Sequence, residues 1–107
     1  MLAKQFRLPS SLVLRDAQII RSDFFTLRYQ KNNLPHSRFG FVVSKKIDKR
    51  AVVRNRIKRL VRSAVEKKWT MLPGWDMLFV MKPSIALQTR ENVVKTADQV
   101  MATMVNL

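Results

Sequence analysis

The sequence predicts an α+β fold, an α/β sandwich in which one sheet carries helices packed on a face. Three observations predict it. Two early segments alternate apolar and polar residues. A long middle segment repeats apolar residues at helical spacing. A short apolar run then separates that helix from a second one. At 107 residues and 47% hydrophobic content, residues 1–107 suffice for a single domain with a real, if modest, core.

Met1 to Gln18 is the least patterned stretch. Pro9-Ser10-Ser11 can open a short helix with Ser10 or Ser11 as its N-cap, or the segment can be extended. Phe24 to Gln30 reads as a strand, with Phe25, Leu27 and Tyr29 facing inward and Phe24, Thr26 and Arg28 facing outward. Lys31 to His36 is a polar loop. Arg38 to Lys45 is a second strand, with Phe39, Phe41 and Val43 on one face and Arg38, Gly40, Val42 and Ser44 on the other. Two strands joined by a polar loop suggest an antiparallel hairpin.

Arg50 to Trp69 reads as the best helix, because Val53, Ile57, Leu60, Val61 and Ala64 form one apolar stripe. Pro73-Gly74 ends this region. Met77 to Met81 reads as a buried strand closed by Lys82-Pro83, and the intervening helix allows it to run parallel to an earlier strand. A last helix spans Thr89 to Val105, with Val93, Ala97, Val100, Met101 and Met104 on one face. The methionines read as core filler, and Trp69 and Trp75 as packing at the edge of the core.

Twenty-one Lys and Arg oppose seven Asp and Glu, a net charge of +14. Such a domain repels itself, and a polyanion that releases counterions on binding is its natural partner. The charge is concentrated. Between Ser44 and Lys68 there are eleven basic residues, opposed only by Asp48 and Glu66. Arg54, Lys58 and Arg62 stand at i, i+4 and i+8, where like charges cost a helix a few tenths of a kcal/mol per pair, roughly. A polyanion on that face is the simplest reason to accept the repulsion. The same helix could lie on an anionic membrane, but its apolar stripe is needed to cover the strands. No run of about 18 apolar residues exists to cross a bilayer, and no signal-peptide pattern opens the chain. With no cysteine there is no disulfide or thiolate site, which fits a reducing cytosol.

The run Arg38-Phe39-Gly40-Phe41-Val42-Val43-Ser44-Lys45-Lys46, followed by Ala51 to Arg62 with its Arg54-Asn55-Arg56 triplet and Lys58-Arg59 pair, resembles the bacterial ribonuclease P protein family. The likeness extends from about Arg21 to Pro83 and more loosely into the last helix. It implies a mixed four-stranded sheet with helices in the order αβββαβα and a left-handed crossover. The first helix is short or absent here, since Arg7 to Gln18 lacks the family's aromatic-rich pattern.

The resemblance also implies a function. The family's protein helps a catalytic RNA remove the 5′ leader of precursor tRNA, with Mg²⁺ held by the RNA. Lys45, Lys46, Arg54, Asn55, Arg56, Lys58, Arg59 and Arg62 are then expected to contact the catalytic RNA. Phe24, Thr26, Arg28, Arg38, Ser44 and Lys82 are expected to meet the leader, with Gly40 letting a nucleotide come close. Phe24 has a second reading, as a side chain buried beneath the N-terminal segment. No catalytic or metal-binding residue is expected in the chain itself. Its one histidine, His36, falls in a loop, and its acids are scattered without a short-spaced pair. The protein is expected to be cytoplasmic, away from membranes and monomeric when free. A structural RNA-binding protein of ribosomal type and a protein-only nuclease are the alternatives. Cleavage without added RNA would identify the latter.

Overall fold

The structure, a computed structural model, describes residues 7–8, 14–69 and 74–105. Its elements are β1 (Gln18–Arg21), β2 (Phe25–Lys31), β3 (Arg38–Val42), α1 (Ala51–Trp69), β4 (Trp75–Met81), a 3₁₀ turn at Pro83–Leu87 and α2 (Arg90–Val105). The four strands form one mixed sheet in the order β1-β2-β4-β3, and the helices pack on one face of it. The predicted α+β class, the two helices and the strand at Met77 all stand. The N-terminal segment, open in the sequence to a short helix or an extended chain, falls largely outside the described residues.

The predicted hairpin does not form. The strands β2 and β3 are consecutive in the chain, yet β4 lies between them, antiparallel to β2 and parallel to β3. The physical reason lies in β4 itself. Asp76, Met77, Phe79 and Met81 are all buried, as suits a strand with neighbours on both edges. Phe79 sits at the centre, opposite Leu27 of β2 and Phe41 of β3. Its ring meets Phe25 edge-on at 5.3 Å and stacks with Phe41 at 5.2 Å. A direct β2–β3 pairing would forfeit both contacts on the same side chain.

The segment between β2 and β3 is tied to the start of β4 instead. The Asn32 side chain donates to Asp76 at 2.9 Å and to the His36 carbonyl at 3.2 Å, and the Asn32 backbone donates to Gly74. The backbone N–H of Trp75 donates to the buried Ser37 hydroxyl. Gly74 takes a φ of 79°, which a glycine adopts without the steric cost of a Cβ.

The true hairpin joins β1 to β2, through a turn in which Ser22 donates from both its amide and its hydroxyl to the Phe25 carbonyl. Strand β1 escapes sequence pattern because it is four residues long, lies at an edge and is mostly exposed. Strand β3 stops at Val42 rather than Lys45. Beyond it the chain turns, with the Ile47 amide donating to the Ser44 carbonyl and Ile47 packing on the core.

The core lies between sheet and helices. Phe25, Leu27 and Tyr29 of β2 face inward as the alternation predicts, while Ile57, Val61 and Val65 of α1 and Val93, Ala97, Val100 and Met104 of α2 cover them. Each large side chain so buried contributes about 1.5–3 kcal/mol. Thr89 caps α2: its hydroxyl accepts from the Asn92 amide and its carbonyl from that of Val93. Ile85 in the 3₁₀ turn, unremarked in the sequence, closes the core from below.

Candidate nucleic-acid interface

Because Ile57, Val61 and Val65 fix one side of α1 against the sheet, the side chains around the rest of the helix have assigned positions. Val53, Leu60 and Ala64 pack partly against the core. Asn55, Arg56 and Arg59 are exposed, while Arg54, Lys58 and Arg62 are half-buried at its flank. The side chains of Asn55, Arg56, Lys58 and Arg59 have no hydrogen-bond or ionic partner among the described residues. The side chains of Glu66, Lys67, Lys68 and Trp69 lie outside the described set.

Ahead of the helix, Ser44, Lys45, Lys46, Lys49 and Arg50 are exposed on the connecting loop. Asp48 organises its end. Its carboxylate accepts the Arg50 amide at 2.8 Å and pairs with the Arg50 guanidinium at 3.0 Å. The Arg50 side chain, then its amide, hold the Asp48 carboxyl down at about 2, well below the ordinary range. The same hydrogen bond raises Arg50. Arg54 reaches back over this loop. Its Nη1 donates to the carbonyls of Asp48 at 3.0 Å and Lys49 at 2.7 Å. Of the predicted RNA-contacting residues it is therefore the most committed internally.

A groove of about 200 Å³ runs between α1 and β3, lined by Arg7, Leu8, Phe39, Gly40, Phe41, Lys58 and Arg62. The Arg62 guanidinium lies 6.0 Å from the centre of the Phe41 ring, within cation–π range. Arg7 enters because the N-terminal segment pairs with β3, where the Leu8 amide donates to the Phe39 carbonyl at 2.8 Å. Sequence pattern missed Arg7, and no local signal marks it, since its place depends on a pairing over thirty residues away, roughly.

The predicted leader residues do not gather into one open surface. Thr26, Arg28 and Arg38 lie on the sheet face away from the helices. Arg28 Nη2 donates to the carbonyl of Leu14, which is buried, and Arg28 Nε is buried without a partner. Arg38 forms a two-pronged pair with the buried Asp76, at 2.9 Å from Nε and 2.8 Å from Nη2. That hydrogen bond raises the Arg38 pKa against the opposing effect of burial. The Lys82 ammonium donates to the Ser22 carbonyl. Phe24 is half-buried and packs on the core. Ser44 stands apart on the exposed loop. Gly40 faces Leu78 and Leu8, whose methyl carbons lie 3.0 and 3.2 Å from where a Cβ would be, so the N-terminal segment occupies the space expected to admit a nucleotide.

Among the described residues no three His, Cys, Asp or Glu side chains come together as a metal site, and no helix is long and apolar enough to cross a membrane.

A family model described as Ribonuclease P matches residues 10–105. A ribonuclease P protein component of Haemophilus influenzae is 50% identical over 60 residues, covering 56% of this chain and 50% of that protein. One from Vibrio vulnificus is 37% identical over 87 residues, 81% of this chain and 74% of that protein. The chain thus aligns with about half the length of the former. A mutant RNase P protein of Staphylococcus aureus shares the fold with a TM-score of 0.83 at 21% identity, covering 94% of this chain and 89% of that one.

Proposed function

The chain belongs to the ribonuclease P protein family, and from that premise we propose that it is the protein subunit of ribonuclease P. In this role it binds the catalytic RNA, binds the 5′ leader of precursor tRNA and aids Mg²⁺-dependent removal of the leader. It works as one domain, monomeric until it meets RNA, in the cytoplasm where precursor tRNA is made. The observation that carries this reading is the outer side of α1. There the side chains of Asn55, Arg56, Lys58 and Arg59 stand without partners among the described residues, and Lys45 and Lys46 are exposed on the loop that leads into the same helix. Unneutralised cations on a rigid helix offer pre-placed donors to phosphates, and Asn55 offers a neutral donor and acceptor to a base or a 2′-hydroxyl.

The described residues do not fit a Mg²⁺ site, because no carboxylates gather and the candidate surface is cationic. Bond cleavage and the ions that support it belong to the RNA on this reading. This chain's residues bind and orient. Arg38 illustrates how. With Nε and Nη2 held by Asp76, its Nη1 is left at a fixed orientation on the sheet face, available to a leader phosphate. Arg28 is held by a single bond instead, from Nη2 to the Leu14 carbonyl.

Reconstitution tests the reading. Added to active bacterial ribonuclease P RNA at low Mg²⁺, the protein is expected to raise the rate of precursor tRNA cleavage. Binding without any rise would instead mark a structural RNA-binding protein.

A further inference from the structure

We infer that Arg54 is a positioning residue, one that acts on RNA through the loop before its helix rather than by touching RNA. The inference rests on the RNA-binding role proposed above. Residues 44–50 carry Lys45, Lys46, Lys49 and Arg50 in close succession, so the loop repels itself. Two anchors hold its ends. Ile47 packs on the core and donates to the Ser44 carbonyl, and Asp48 grips Arg50. The Arg50 amide that Asp48 accepts belongs to the Lys49–Arg50 peptide, but neither anchor engages the carbonyls of Asp48 and Lys49, which precede α1 and lie outside its hydrogen-bond ladder.

Arg54 engages both. A single nitrogen, Nη1, spends both of its hydrogens on those two carbonyls, at 3.0 and 2.7 Å. The side chain is half-buried as a result, while Asn55, Arg56 and Arg59 on the same helix are exposed. Fixing two successive peptide planes sets the direction in which the Lys49 side chain leaves the backbone and the path by which Lys45 and Lys46 approach the helix. Arg54 thereby orders a self-repelling loop whose exposed Lys45, Lys46 and Lys49 immediately precede the helix that carries Arg56 and Arg59.

Direct contact and positioning predict different couplings. The measurement is affinity for ribonuclease P RNA as a function of salt, for Arg54→Gln made in the wild-type chain and in a chain carrying Lys45→Ala, Lys46→Ala and Lys49→Ala. Circular dichroism and thermal unfolding establish that each variant is folded. A positioning role predicts that Arg54→Gln weakens binding about tenfold in the wild-type loop and less than about twofold in the loop lacking its lysines, the coupling expected within one network. It also predicts that the single substitution lowers the salt slope by more than the roughly 0.7–0.9 that one lost phosphate contact removes. An equal fold-loss in both chains, with a slope change of one contact, overturns the inference and makes Arg54 an RNA ligand. Should Arg54→Gln not fold, Arg54→Lys, which keeps the charge and loses the planar fork, takes its place in the same cycle. Failure of the wild-type chain itself to bind the RNA would sink the functional reading rather than this inference alone.

Discussion

Arg38 and Arg56 look alike in the sequence and do different work in the structure. Asp76 is 2% exposed, and Arg38 holds both of its carboxylate oxygens. Removing Arg38 strips a buried carboxylate of its charged partner while the Asn32 side chain still donates to Oδ1. Arg38→Ala is therefore expected to cost about 2–4 kcal/mol, read as a fall in the midpoint of urea or thermal unfolding. Arg56→Ala, at an exposed helix position, should change stability by less than about 0.5 kcal/mol. It should instead reduce the salt slope of RNA binding by about one contact. Asp48 provides a pH test. Its folded pKa is depressed to about 2, below the roughly 3.9 of an unfolded aspartate. Its stabilising contribution is thus present at neutral pH and is lost as pH falls from about 4 through 2. An NMR titration of its carboxyl should show that low midpoint, and Arg50→Ala should move it upward. Periodicity placed Arg38 on the outward face of its strand and Arg56 off the apolar stripe of its helix, where the structure has them. Which cations were already engaged was not legible, because Asp76 lies 38 residues from Arg38 and nothing local announces the pair.

At the level of elements, periodicity was a sound guide wherever one face of a segment is buried and the other is not. The stripe of α1, the inward set of β2 and the apolar face of α2 all follow from it. Pairing was another matter. Alternation says which way side chains point, not which strand lies alongside, so the β2–β3 hairpin looked natural and was wrong. The buried run of β4 was the available clue, since an outer strand has less need of it. Strand β1 was invisible for the opposite reason: a short exposed edge carries little apolar signal. Gly74 tests the connection into β4. Its positive φ means that Gly74→Ala should cost about 1–2 kcal/mol from backbone strain, measurable by denaturant unfolding, although its Cβ would meet the Leu34 carbonyl at a tolerable 3.4 Å.

For the whole molecule, a net charge of +14 on 107 residues is a statement about partners. If about six phosphates are neutralised on binding, log K should fall against log salt with a slope of roughly −4 to −5. Fluorescence anisotropy over a range of KCl concentrations reads that slope, and a flat dependence would remove polyanion binding from consideration. The sheet face away from the helices was the least legible region, because it is built by remote parts. Leu8 over Gly40 and Leu14 over Arg28 come from an N-terminal stretch that has no periodicity of its own. The insertion of β4 between two earlier strands carries a consequence for biosynthesis. A nascent chain emerging from the ribosome completes its cationic helix before the strand that will bridge β2 and β3 has been made. Until Trp75 to Met81 appear, the rings of Phe25 and Phe41 lack the Phe79 ring they flank, and the sheet has no middle. Its closure is a late, long-range event, and truncation anywhere before β4 removes the common neighbour on which both halves of the sheet depend.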